Sequence, residues 1–423
     1  MRSSKLIARA AVALFAASSA ALAAEPAAKA PLVFKAQEID KTLTVGYAVR
    51  IVDVDGDKKP DVLVCDANRV VWFSNGDWKM HTVIENAKAG VKADNVCIDT
   101  ADIDGDGKLD IVLGADWHPE NTKAAGSLQW LQQPADLAQP WKVHKIFESS
   151  PTLHRIHFCQ VEGEAKPALI VGPLKGANST DKAGAENPTR FEMYKIPADP
   201  VKGPWTPTPV SDQFHIMHNF LPVQWGLTKG QQVLTASYEG VNLLAPDAGG
   251  KWKTYKLGTG AEPRADGNRG SSEIKWGKLK DGRKILATVE PFHGNMAVVY
   301  VEPAQPAEPN QPWPRTVLDD TLTGGHSVWC ADLDGDGSDE IVIGWRDVIA
   351  GKPPTGLRVF RTAGDGTDKQ VKWEMQQIDK GDIAAEDVAC ADLNGDGKVD
   401  IVAVGRKTKN VKIYWNETPQ AKK

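Results

Sequence analysis

Apolar and polar residues alternate along this chain in short runs separated by Gly, Pro and Asn clusters, the period-two pattern of half-buried strands. One acidic stretch recurs in register: Asp53-Val-Asp-Gly-Asp57 with Asp61, Asp102-Ile-Asp-Gly-Asp106 with Asp110, Asp332-Leu-Asp-Gly-Asp336 with Glu340, and Asp392-Leu-Asn-Gly-Asp396 with Asp400. Each leads at once into a β-branched run such as Val62-Leu-Val or Ile341-Val-Ile. The gap between Asp102 and Asp332 holds three degenerate copies. Gln160-Val-Glu-Gly-Glu164 precedes Leu169-Ile-Val-Gly172, Gln224 leads to Val233-Leu-Thr, and Trp276 leads to Ile285-Leu-Ala. That makes seven units of roughly 49 to 64 residues, each reading as four short strands. In the sixth the expected strands are His326–Ala331, Glu340–Trp345, Leu357–Arg361 and Trp373–Ile378. Four-stranded units repeated radially predict an all-β, seven-bladed β-propeller of antiparallel blades.

The pattern also predicts how the ring closes. The seventh unit ends on its third strand, Val411 to Trp415, leaving only a polar tail over 418–423. Phe34-Lys-Ala-Gln-Glu-Ile-Asp40 mirrors Trp373-Glu-Met-Gln-Gln-Ile-Asp379, so the N-terminal strand is expected to complete the last blade and cover its edge. The propeller then spans 32–417.

Ahead of it, Arg2, Lys5 and Arg9, an apolar run from Ala10 to Ala17 and Ala21-Leu22-Ala23 read as a signal peptide over 1–24. A linker follows over 25–31. No Cys follows the cleavage point, so a lipoprotein anchor is not expected. The chain reads as exported, periplasmic or secreted, with no membrane insertion. A mild net charge of -5 argues against nucleic acid. Five cysteines (Cys65, Cys97, Cys159, Cys330 and Cys390) fit neither a disulfide framework nor a zinc spacing, and read as small core residues.

The acidic stretches carry the first candidate chemistry. Hard cations take six to eight oxygens. In D-x-D-G-D-x-x-x-[DE], positions one, three, five and nine offer side-chain oxygens and position seven a carbonyl. The ligands are Asp53, Asp55, Asp57 and Asp61; Asp102, Asp104, Asp106 and Asp110; Asp332, Asp334, Asp336 and Glu340; and Asp392, Asn394, Asp396 and Asp400. A plain Asx-Gly turn is the alternative for one copy. Four copies in one register favour structural calcium. The β-run from position ten excludes an EF-hand, and the third unit, with Ala168 at position nine, is expected to have lost its ion.

If these turns share one face, reactive groups belong on the other. Six residues before each loop the units present Tyr47, Val96, His154, His218, Gly270, His326 and Glu386, an expected ring around the axis. His157 and His215 lie nearby, and the connecting loops add His118, Lys175, Glu239, His293, Arg346 and Arg406. Three converging imidazoles, His154, His218 and His326, suit a transition ion such as zinc or manganese. His293, His157 and Glu386 suit acid–base roles. Arg346, Lys175, Tyr47 and His118 suit substrate binding. Channel-lining residues bonded to water are the bland alternative.

The loop spacing resembles the calcium loop of FG-GAP/VCBS propeller repeats across nearly the whole mature chain. Glu290-Pro-Phe-His-Gly-Asn295 and the segment from Gly325-His-Ser-Val-Trp-Cys to Gly344-Trp-Arg346 resemble the propeller domain of aldos-2-ulose dehydratase. That resemblance implies elimination of water from a small keto-sugar. The family carries cupin-like domains after its propeller, so an isomerisation step assigned to them is expected to be absent. The competing expectations are a glycan- or protein-binding propeller without catalysis, and a quinone-dependent dehydrogenase, whose Trp-docking pattern the repeats lack.

Overall fold

The computed structural model describes residues 29–305, 310–363 and 371–420, so the signal-peptide segment lies outside the described residues. Its strands form seven four-stranded antiparallel sheets. The innermost strands are Gly46–Val52, Cys97–Ala101, Leu153–Cys159, Asn219–Val223, Glu273–Lys278, Gly325–Ala331 and Ala385–Ala391. In the sixth blade the four strands are Gly325–Ala331, Glu340–Trp345, Gly356–Thr362 and Trp373–Lys380, within two residues of the expected bounds at every end. The one helix among the described residues is the single turn Asn86–Ala89. No helix among them is long and apolar enough to cross a membrane.

Each blade's second strand is buried on both faces, which explains its continuous apolar run. Val62 and Val64 of blade one pack on Val402 and Val404 of blade seven, while Leu63 and Cys65 face Ile111 and Leu113 of blade two. A fully buried aliphatic side chain contributes about 1.5–3 kcal/mol, so the inter-blade seams carry the stability.

The last blade is closed as the sequence predicts. Phe34–Asp40 pairs antiparallel with Val411–Asn416, in the register Phe34↔Asn416 to Glu38↔Lys412. The segment ahead of it is tied to blade six. Arg361 donates to the carbonyls of Ala30 and Lys29, and Leu32 exchanges hydrogen bonds with the Gln376 amide at 2.8 and 2.7 Å.

Four strand pairings, in the first, third, sixth and seventh blades, bear on the opposite face through irregular register. The innermost strands of these blades carry a bulge between Gly46 and Ala48, Leu153 and Arg155, Gly325 and Ser327, and Ala385 and Asp387. The bulged residues are Tyr47, His154, His326 and Glu386. A bulge re-aims the side chain it carries, which turns these four toward the axis.

Blade five departs from expectation. Ser272 N–H donates to the Val289 carbonyl just as His218 N–H donates to Ala236 and Val96 N–H to Gly114. Ser272, not Gly270, is therefore the ring residue of that blade. The cause is a shortened turn: Lys278 pairs directly with Lys284, whereas Ala331 pairs with Glu340.

Candidate active site

The acidic turns form one cluster of chemistry. In blade one Asp53 accepts the N–H groups of Gly56 and Lys58 at 2.7 and 2.9 Å. The buried position-nine acid is an anchor: Asp61 accepts from Val54 and Asn75, and Asp110 from Ile103 and Gln133. Gln232 keeps that anchoring role in blade four, accepting from Trp225 and Gly226 at 3.1 Å. Three loops gather carboxylate oxygens within 4.8 Å of one another: Asp53, Asp55 and Asp57; Asp102, Asp104 and Asp110; and Asp332, Asp334 and Asp336. Burial pushes Asp61 and Asp110 up to about 6, against the pull of the backbone N–H groups that each accepts. Glu340 Oε1 is buried without a partner. Clustered, desolvated carboxylates of this kind fit a hard cation.

The opposite face brings four imidazoles together. One ligand nitrogen each from His218, His293 and His326 lie within 4.8 Å of one another. His293 Nε2 is 2.9 Å from His218 Nε2, and the ring centres of His218 and His326 are 4.9 Å apart. His326 Nδ1 is 2.6 Å from the Glu386 carbonyl oxygen. His218 Nδ1 is 3.2 Å from the Ser272 carbonyl oxygen and 2.8 Å from Glu273 Oε1. Both rings thus spend Nδ1 on the scaffold and present Nε2 to the centre, the outer-shell arrangement of metal-binding histidines. Burial holds all three imidazoles below the usual histidine range, in the neutral form a metal requires.

His293 reaches this place because its loop is held from both ends. Glu290 is fully buried and anchors the loop at one end. Leu322 and Gly325 donate to the carbonyls of Asn295 and Gly294, so the loop docks on the segment leading to His326. His293 itself sits at φ +46°, a left-handed conformation that a non-glycine residue keeps only where its surroundings enforce it.

The remaining sequence candidates divide clearly. Arg346 and Arg406 both donate to Glu386 Oε1, at 2.5 and 3.0 Å, and Arg346 Nη2 lies 3.4 Å from the His293 ring nitrogens. Tyr47 donates to Asp94 at 2.8 Å beneath the Arg406 guanidinium. His154 is beside the trio, its ring centre 4.7 Å from that of His218 and stacked on Trp117, but it is not among the three clustered donors. His293, expected to move protons, stands in its place. His157 lies three residues further down the strand, 3.5 Å from Asp99, and faces the axial cavity rather than the trio. Lys175 pairs with Glu120, and His118 is exposed beside Asp116. Neither has a hydrogen bond or ion pair to the four histidines. Glu273 escaped sequence reasoning, and Glu290 entered it only as the first residue of the Glu290–Asn295 motif; the facing blades alone show what the two acids touch.

Several buried polar atoms around the trio lack any partner: both ring nitrogens of His154, Glu386 Oε2 and Arg346 Nε. Unsatisfied groups concentrated at one place point to a bound species.

Residues 125–303 match the family model described as the aldos-2-ulose dehydratase β-propeller domain, and residues 53–113 and 344–403 match that of the FG-GAP-like repeat. The chain is a seven-bladed propeller with FG-GAP-like repeats, similar in part to the propeller domain of aldos-2-ulose dehydratase. The first match holds His154, His218, Glu273 and His293. A dehydratase of that name from Phanerodontia chrysosporium is 28% identical over 283 residues, 61% of this chain. The match spans 30% of that relative's length. Two crystal structures of BBS1N in complex with ARL6DN share the fold, with TM-scores of 0.53 and 0.50 at 10% and 11% identity. They cover 92% and 91% of this chain, and 98% and 97% of theirs.

Proposed function

We propose that this exported propeller is a carbon–oxygen lyase that eliminates water from a small keto-sugar at the histidine centre. The observation that carries the reading is the convergence of three neutral imidazoles with a fourth whose ring nitrogens are both free and buried. The similarity to the dehydratase propeller supports the substrate class.

His218, His293 and His326 would hold a transition ion, zinc or manganese. When bound, such an ion supplies Lewis-acid polarisation of the substrate carbonyl. The protein's own groups do the rest. His154 is held neutral by burial, so it can accept the proton on the carbon beside the carbonyl. Arg346 and Arg406 place positive charge opposite the oxygen on which charge develops. The C–H bond breaks, the new C=C bond forms, and the hydroxyl one carbon further leaves. His154 then returns its proton to that hydroxyl, which departs as water, so proton and electron count balance. Calcium in the acidic turns has a separate, structural role.

Metal analysis of protein purified without added metal should find one transition ion per chain in addition to calcium. His326→Ala should lose that ion alone. His154→Ala should keep it while the enone absorbance formed from a keto-sugar falls by ~10²–10⁴-fold, the usual worth of a proton-transfer group. Calcium alone, with no turnover of any keto-sugar, would overturn this reading in favour of a binding propeller.

A further inference from the structure

A second group of charged side chains lies on the axis, away from the histidine trio. A cavity of about 680 Å³ is lined by the innermost strands of all seven blades. The same strand position contributes Arg50, Asp99, His157, Leu221, Lys275, Trp329 and Ala389 in turn around the axis. Blades one to three are polar there: Arg50 and His157 both lie against Asp99, at 3.7 and 3.5 Å. Blades four, six and seven are apolar, and Lys275 of blade five stands between Leu221 and Trp329.

The channel's carboxylates are already shared. Asp387 meets Arg50 at 3.6 Å, and Glu273 meets Arg155 at 3.5 Å and His218 at 2.8 Å. Among the described residues Lys275 has no hydrogen bond and no ion pair, and its amine lies 5.4 Å from the centre of the Trp329 ring. A lysine amine left unpaired in an apolar wall, with other cations nearby, is the setting that activates lysine as a nucleophile.

We propose that Lys275 is a carbonyl-reactive amine and that the axial channel binds a small aldehyde or ketone as its imine. The Lys275 nitrogen lone pair adds to the carbonyl carbon, forming the C–N bond. Both amine protons pass to the carbonyl oxygen, which leaves as water, and the C=N bond closes without oxidant or reductant. The chain's own charges agree with this. Burial holds the Lys275 amine below the usual lysine range; Glu273 and then Asp387 pull it back up, and the weaker repulsion of Arg50 and Arg155 adds to the lowering. Trp329, Leu221 and Pro222 supply an apolar wall for the body of the ligand.

The test is reductive alkylation of the intact protein near neutral pH, with glycolaldehyde and cyanoborohydride, followed by peptide mapping. Lys275 should be alkylated at least ~10-fold faster than an exposed lysine such as Lys41, because only the unprotonated amine attacks. Lys275→Arg should remove the fast-labelled peptide and leave the slow ones unchanged. Labelling of Lys275 at or below the rate of Lys41 overturns the proposal. The readout needs no turnover at the histidine trio, so it stands or falls independently of the elimination reaction.

Discussion

Glu290 links the loop bearing His293 to the blade core. Its Oε1 accepts from Ser271, Thr288 and Tyr300 at 2.8, 3.0 and 2.6 Å, and its Oε2 accepts from Arg315 Nε at 2.8 Å. The carboxylate is fully buried, whereas the Arg315 side chain is 25% exposed. Removing one partner of a buried pair leaves the other uncompensated, so Glu290→Gln should cost about 3 kcal/mol, the lower end for such pairs given the exposure of Arg315. Urea unfolding would measure it. Because Glu290 does not touch the reacting centre, turnover per folded molecule should fall through misplacement of His293. A stability unchanged by the substitution would show that the loop is held from its other end alone. Glu273 is the parallel case for His218. Glu273 belongs to no motif, and the motif that Glu290 opens does not say what its carboxylate holds, so the anchoring role of both acids is not legible in the chain read linearly.

At the scale of the element, the acidic turns and the bulged strands behave differently. The turns are local: positions one, three and five bond backbone N–H groups two to five residues away, so spacing alone defines them. Their energetics follow from burial. Asp61 and Asp110 are raised to about 6 in the fold, so in calcium-free protein each favours folding most below its unfolded value. That contribution is lost as pH rises from about 4 through about 6, since the folded state then holds the extra proton. Chelated protein should therefore lose stability across this window, and Asp61→Asn with Asp110→Asn should flatten the loss. Calcium binds the native state, so saturating amounts should raise the melting temperature most above pH 6. An identical melt with and without chelator would exclude the ion. The bulges, by contrast, exist only once two strands pair. Position six before each loop was readable from spacing, and the ring of Tyr47, His154, His326 and Glu386 follows it. What aims those side chains inward is a register irregularity between strands.

At the scale of the whole molecule, the ring is closed by one strand taken from the other end of the chain. Val62 and Val64 reach Val402 and Val404 only if blade seven is complete. Deleting Leu32 to Lys41 removes the partner of Val411–Asn416 and uncovers an edge with unpaired backbone groups. The truncated chain should aggregate or unfold with lost cooperativity, seen by light scattering and calorimetry. A monomer of unchanged stability would mean the seam does not need that strand. The same closure places strands from seven distant segments around one axis, which creates both the histidine trio and the cavity beneath it.

The alternation of apolar and polar residues and the repeated Asp-Gly turns determined the blade number, the strand order, the closing strand and the placing of turns and histidines on opposite faces. These features depend on local propensity and on register along one chain, and both are written in spacing. The tertiary structure alone decided that His293 joins His218 and His326 while His154 stands free, that Ser272 replaces Gly270 in the ring, and that Lys275 has no ion pair among the described residues. Each of these depends on which side chain of one blade faces which of another across the axis. Such distances arise from packing between segments tens to hundreds of residues apart, and no local pattern encodes them.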